Sequence, residues 1–198
     1  AFNAAFAEFG LNWDWHRPLY LELLRTTGGK ERIARYAASL GVEVAVPEIH
    51  AAKNRHFVAH LREGIALRPG IRDLLAEART TGLRLAVATT TSLGNVEALT
   101  RAAFGCPALD VFEVIAAGDA VARKKPAPDV YMLALDMLGI GADQAVAFED
   151  SLNGVMAARA AGIRTVLSRG IYTRHEADAG ATLTVEEFAD LGGVMGLR

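Results

Sequence analysis

The amino-acid sequence predicts an α/β protein, a doubly wound and mostly parallel sheet that carries a small helical cap domain. Three observations predict it. Residues 1–66 hold helical patterns and no strand pattern, and from residue 67 short buried strands alternate with amphipathic helices. Arg68-Pro69-Gly70 punctuates the chain between the two regimes. Repeated strand–helix units imply parallel pairing with helices on both faces of the sheet. The chain therefore divides into a cap domain at 1–66 and an α/β core at 67–198.

Phe2, Phe6 and Phe9 recur at helical spacing, so the sequence opens inside an amphipathic helix. With neither an initiating Met nor a signal-peptide pattern, it reads as a chain missing its true beginning. Gly28-Gly29 precede a helix over about 30–40, which Gly41 ends. Pro47 suits the first turn of the next helix, whose apolar side holds Ile49, Ala52, Phe57 and Leu61. In the core, Ile71, Leu74, Leu75 and Ala78 make a helix that stops at Gly82, and residues 84–88 make the first strand. A helix with Val96, Leu99 and Ala103 follows, then a strand near 112–116. The next helix carries Val130, Leu133, Ala134 and Met137 and closes at Gly139. Residues 145–148 form the third strand, a helix around Val155 and Ala158 ends at Gly162, and 163–167 form the fourth. Thr184-Val185-Glu186-Glu187 has the form of a capping box opening a terminal helix.

Composition removes several function classes. With 52% hydrophobic and 22% charged residues, the chain can bury a core and is no disordered tail. A net charge of −2 gives no field to draw nucleic acid or an anionic membrane. No apolar run approaches the roughly 20 residues that span a bilayer. Cys106 is the sole cysteine, which points to a reducing compartment and forms no internal disulfide.

In a parallel sheet, ligands bind at the carboxyl ends of the strands. Three of those ends are chemically loaded. Thr89-Thr90-Thr91-Ser92 puts four hydroxyls beside the free N–H groups of a helix start, a neutral cradle for phosphate; ordinary helix capping is the plainer account. Lys124-Lys125-Pro126-Ala127-Pro128-Asp129 holds a lysine in a defined direction before two prolines, and the plainer account is a solvated basic turn. Phe148-Glu149-Asp150-Ser151 delivers two adjacent carboxylates, whose repulsion a hard divalent cation relieves. Here the plainer account has Asp150 or Ser151 capping the next helix, which leaves Glu149 without a reason. Hydroxyl, lysine and acid pair together describe a pocket for a metal and a phosphate, with no evident nucleophile among them.

That order resembles the haloacid dehalogenase (HAD) superfamily. Its first motif, Asp-x-Asp-Gly-Thr, supplies the nucleophile and would lie ahead of Ala1, on a strand in mid-sheet beside the Thr89 strand. Thr27-Gly28-Gly29-Lys30-Glu31-Arg32-Ile33, the three strand-end motifs and Gly170-Ile171-Tyr172-Thr173 are similar to the CbbY and β-phosphoglucomutase-like branch. The resemblance implies a HAD-like core with a helical cap. It also implies a sugar-phosphate phosphatase of the carbon-fixation (Calvin cycle) context, acting on xylulose 1,5-bisphosphate. Thr89 then matches the hydroxyl that bonds the transferring phosphoryl group together with the Thr90 N–H. Lys125 matches the lysine of the third motif, Asp150 the Mg2+ ligand and Glu149 its neighbour at the metal. Thr91 and Ser92 join the phosphate loop.

In the cap, Gly29, Lys30 and Arg32 match the substrate loop and Lys53 a second substrate-facing segment, so Lys30, Arg32 and Lys53 are expected to hold a distal phosphate. His56 is a further substrate candidate; His16, His50, His60 and His175 read as surface or core. Lys124 has no match and reads as surface. The expected partner is a small phosphorylated sugar, with no nucleic acid and no membrane, for a monomer in the cytoplasm, or in the chloroplast stroma of a plant or alga. Residues 1–198 by themselves are expected to be inactive by the family route. Open alternatives are a sugar phosphomutase, a phosphoglycolate phosphatase and a non-catalytic fragment or pseudoenzyme. A signalling receiver domain fits poorly, because it places its acid pair before the Thr and has no cap.

Overall fold

The computed structural model describes residues 1–193. Four helices come first: α1 (Phe2–Glu8), α2 (Arg17–Leu23), α3 (Gly29–Ser39) and α4 (Val46–His60). Their apolar faces meet in one cluster of Ala5, Phe6, Trp15, Ile33, Ile49 and Ala52, all buried. Phe6 sits at its centre with edge-on contacts to Trp13 and Trp15, ring centroids 5.2 and 4.8 Å away. Such offset aromatic packing adds to the area buried. His16 caps α2 by accepting from the Leu19 N–H, which gives that histidine a structural job.

Strand–helix alternation follows: α5 (Ile71–Thr80), β1 (Ala86–Ala88), α6 (Leu93–Phe104), α7 (Ala108–Val111), β2 (Val114–Ala116) and α8 (Asp129–Leu138). Then come β3 (Val146–Glu149), α9 (Leu152–Ala160), β4 (Arg164–Ser168) and β5 (Leu183–Val185). Every strand pairing is parallel: β1 with β2 from Ala86↔Val114, β3 with β4 from Val146↔Arg164, and β4 with β5 from Val166↔Leu183. Helices cover the strands through a core of Val114, Ala116, Val130, Ala134, Ala147, Ala157, Ala158 and Ile163. The strands form two sheets rather than one, β1–β2 and β3–β4–β5. Among the described residues, β1 and β3 are thus each paired on one side only.

Two expectations need correction. Thr184 lies in β5, opposite Leu167, and does not open a helix. Pairing along β4 outweighs a four-residue capping pattern, and the capping falls three residues later, where Glu187 and Asp190 box a short 3-10 turn over Phe188–Leu191. The four-residue helix α7 was not expected; a single turn has no periodicity to detect. Arg68, in the punctuating tripeptide, ties the chain to its far end: its guanidinium donates to Ser168 O and Oγ, both at 2.6 Å, and pairs with Glu187 at 3.0 Å.

Candidate active site

The three loaded strand ends converge. Thr89 and Thr90 follow β1, Lys125 lies on the loop before α8, and Glu149-Asp150 end β3; all five line one cavity of about 380 Å³. Lys125 joins the two sheets at their carboxyl ends, its Nζ donating to Ala88 O at 2.9 Å and to Glu149 Oε1 at 2.5 Å. Its peptide bond to Pro126 is cis. The pair is well buried, 11% exposed at Lys125 and 7% at Glu149, so the attraction is little screened by solvent.

Glu149 has its acceptors committed. Oε1 also accepts from the buried Tyr131 hydroxyl, and Lys125 Nζ lies 4.7 Å from the centre of the Tyr131 ring. Burial, with the Glu149 charge next, holds the Tyr131 phenol strongly protonated. A Cβ at position 154 would fall within 2.6 Å of both Glu149 carboxylate oxygens, so a side chain there would push that carboxylate off Lys125 and Tyr131.

Asp150 is different. Its carboxylate takes no hydrogen bond from another side chain among the described residues, while its backbone oxygen accepts from the Thr173 hydroxyl. Burial first, then the neighbouring Glu149 charge, pushes its carboxyl above the usual range against the pull of Lys125 and Arg68. Ser151, and not Asp150, caps α9 by accepting from the Gly154 N–H. The capping account therefore fails for the acid that matters. It fails again at Ser92, which stands at the N-cap of α6 with no side-chain capping bond.

An adjoining cavity of about 270 Å³ is lined by Gly28, Gly29, Lys30, Arg32, Thr91 and Ser92, with Glu31, His50, Asp119 and Lys124. It shares Gly28, Arg32 and Thr90 with the first. Arg32 is almost wholly buried and spends its donors on Leu23 O, Thr26 O and the Tyr20 hydroxyl, so it braces the loop before α3 as well as lining both cavities. Lys53 lines neither cavity: its ammonium bonds Asn54 Oδ1 at 3.3 Å, lies over the Phe57 and Phe2 rings, and is held below the usual lysine range by burial, then by Arg32. His56 faces Glu8 at 3.0 Å, outside both cavities.

Sequence reasoning assigns no site role to His50, Asp119 and Lys124 in this second cavity or to Tyr20, Asn153 and Glu176 in the first, and Thr27, Tyr172 and Thr173 stand in its motifs without a role. Burial and then the lysines 53 and 30 lower the His50 pKa, which favours neutral imidazole. Lys124 corrects an expectation outright. It is no solvated surface residue but donates to the Gly118 and Val121 carbonyls, fastening the loop after β2. Lys124→Met is accordingly expected to destabilise the fold by about 1–2 kcal/mol, the cost of losing charged hydrogen bonds to two partly buried carbonyls, read as a lowered melting temperature.

Three comparisons decide the family. The family model of haloacid dehalogenase-like hydrolases matches residues 4–162. The chain belongs to that family. The CbbY protein of Cereibacter sphaeroides is 58% identical across all of this chain and 87% of its own length, and that of Rhodobacter capsulatus is 51% identical over 88% of this chain and 78% of its own. The crystal structure of CbbY from Rhodobacter sphaeroides in complex with xylulose 1,5-bisphosphate superposes with a TM-score of 0.95 at 57% identity, covering 100% of this chain and 89% of that one. This haloacid dehalogenase-like hydrolase falls in the CbbY and β-phosphoglucomutase-like branch, which makes it a phosphoric monoester hydrolase. No helix among its described residues is long and apolar enough to cross a membrane.

Proposed function

We propose that the protein is a magnesium-dependent phosphatase of a sugar bisphosphate, with xylulose 1,5-bisphosphate as substrate. The observation that carries this reading is the pair of adjoining cavities. One holds Thr89, Lys125 and Asp150; the other is rimmed by Lys30, His50, Lys124, Thr91 and Ser92. A substrate with a phosphate at each end suits two connected polar cavities, and the relative solved with xylulose 1,5-bisphosphate supports the choice.

Thr89 Oγ1 accepts from the Thr91 N–H at 3.2 Å, so its own proton is free to donate to a phosphoryl oxygen, with the Thr90 N–H beside it. Lys125 offsets the charge of the phosphoryl oxygens from a fixed position, since Ala88 O and Glu149 hold its ammonium. The donor set at Asp150 fits Mg2+. Magnesium takes one or two carboxylates and completes its shell with water and substrate phosphate, and Asp150 offers an uncommitted, crowded carboxylate at the cavity wall. Among the described residues no group of three His, Cys, Asp or Glu makes an all-protein cage, which suits magnesium better than a structural metal. When bound, the ion would neutralise charge on the transferring phosphoryl group. Asp150 would hold it, with Glu149 behind, anchored by Lys125 and Tyr131.

By the family route, the Asp of the first motif attacks phosphorus as the P–O bond to the sugar breaks, and the sugar oxygen takes up a proton and leaves as the alcohol. Water then hydrolyses the aspartyl-phosphate to free phosphate and carboxylate. The 198 residues contain no Asp-x-Asp-Gly-Thr. A cytoplasmic monomer, or a stromal one in a plant or alga, completes the proposal. The test is a substrate panel on a protein that carries the first motif ahead of Ala1. Xylulose 1,5-bisphosphate is expected to be turned over with a higher kcat/KM than sugar monophosphates or phosphoglycolate. Equal or better turnover of phosphoglycolate would defeat the bisphosphate assignment and leave the phosphatase class standing.

A further inference from the structure

We propose that Asn95 is a positioning residue that couples the docked helical cap to the hydroxyl of Thr91, making that hydroxyl a donor into the second cavity. The inference rests on the two-cavity reading above and adds a specificity residue to it. Asn95 stands in the first turn of α6 and is only 4% exposed. Its amide nitrogen donates to Asn54 Oδ1 on the cap helix α4 at 3.1 Å and to Thr91 Oγ1 at 3.0 Å. Both amide protons are therefore spent, one on each side of the boundary between the cap helices and the strand–helix core.

Which end of the Asn95 amide faces Thr91 follows from chemistry. Lys53 Nζ, which has protons and no lone pair, lies 3.3 Å from Asn54 Oδ1 and fixes that atom as the oxygen. An oxygen there needs a donor opposite, so the atom of Asn95 that faces it is the nitrogen. The same nitrogen then makes Thr91 Oγ1 an acceptor. A hydroxyl that accepts from a neighbour keeps its one proton for another partner, and Thr91 lines the cavity with Lys30, His50 and Lys124. A phosphate oxygen is the acceptor such a cavity would receive. Lys53, which reaches neither cavity, acts on the substrate through this chain: Lys53 to Asn54, Asn54 to Asn95, Asn95 to Thr91. The link to α4 exists only while that helix is docked on α6, so the donor is set where the cap is in place.

Asn95→Asp tests this at constant shape. A carboxylate accepts where the amide donated, and it draws the Thr91 proton away from the cavity. On a protein that carries the first motif, KM for xylulose 1,5-bisphosphate is expected to rise about tenfold, the scale of one hydrogen bond to a charged group, with less of the loss in kcat. The rise for a sugar monophosphate should be smaller. Thr91→Val should raise the bisphosphate KM by a similar factor alone and by no more than about twofold on top of Asn95→Asp, because both remove the same donor. If Asn95→Asp does not fold, the same cycle is run with Lys53→Met in its place, with a smaller KM rise and the same non-additivity expected. Independent, multiplying effects of the Asn95 and Thr91 changes would overturn the inference, since a merely structural Asn95 predicts them. A parent with no bisphosphate preference overturns the two-cavity reading and this inference with it. A parent whose preference survives in full in Asn95→Asp overturns this inference alone.

Discussion

Replacing Lys125 by Met is expected to lower turnover by about 10²–10³-fold, the usual cost of removing one fixed charge-stabilising donor from a transition state. The measurement is steady-state phosphate release by a protein carrying the first motif. Met keeps the length and apolar stem of Lys and removes only the ammonium. That ammonium is the group held by Ala88 O, Glu149 Oε1 and the face of Tyr131, at the point where the two sheets approach each other. Lys124→Met, one residue away, is the control with a different signature. Its ammonium binds the Gly118 and Val121 carbonyls at the rim of the second cavity, so its loss falls on the melting temperature and on KM before kcat. Equal turnover losses at the two positions would refute the assignment of Lys125.

Asp150→Asn is expected to lower magnesium-dependent turnover by a similar 10²–10³-fold or more, since it removes the charge that draws the cation and keeps the side chain's size. Stability should move the other way. In metal-free protein the Asp150 carboxylate stands at the open cavity wall beside Glu149, and partial desolvation there and that neighbour's charge disfavour its ionised form. Exchanging it for a neutral amide leaves one carboxylate where two were crowded. The metal-free melting temperature is expected to stay level or rise slightly, by about 2–4 °C for each kcal/mol of repulsion relieved in a chain this size. Solvent at the exposed Asp150 screens most of that repulsion. Because Ser151 supplies the cap of α9, no capping bond is lost. A variant that keeps full turnover would return Asp150 to a structural role.

The residues that sequence alone located are those that a parallel strand delivers by its own geometry. Thr89, Lys125, Glu149 and Asp150 follow strands or sit on a proline-fixed loop, and a parallel sheet brings those ends to one edge whatever else the chain does. Gly29, Lys30 and Arg32, which line the second cavity from the start of α3, are reached by motif likeness alone. Residues that reach the site through tertiary packing left no local signal. His50 looks like any helical histidine until Gly29, with no side chain, lets the start of α3 close against its ring. Lys53 carries a motif likeness yet packs over Phe57 and Phe2 and touches neither cavity, because its helix turns that face to α1. The Thr184 pattern misled for a related reason: the hydroxyl–carboxylate spacing of a capping box was present, but the Thr165 carbonyl, accepting from the Thr182 N–H, and the β4 edge beyond it took that backbone into a strand. Glycine positions marked most helix ends correctly, as at Gly41 and Gly139, where positive φ admits little else.

On the proposed function, this site transfers a phosphoryl group from a sugar bisphosphate with the help of magnesium. Phosphate release from xylulose 1,5-bisphosphate, followed as magnesium is titrated from zero into chelator-treated protein carrying the first motif, tests it most directly. Release is expected to depend on the ion, to saturate with it, and to fall by orders of magnitude in Asp150→Asn. Release at the same rate without magnesium, or unchanged in Asp150→Asn, would contradict it.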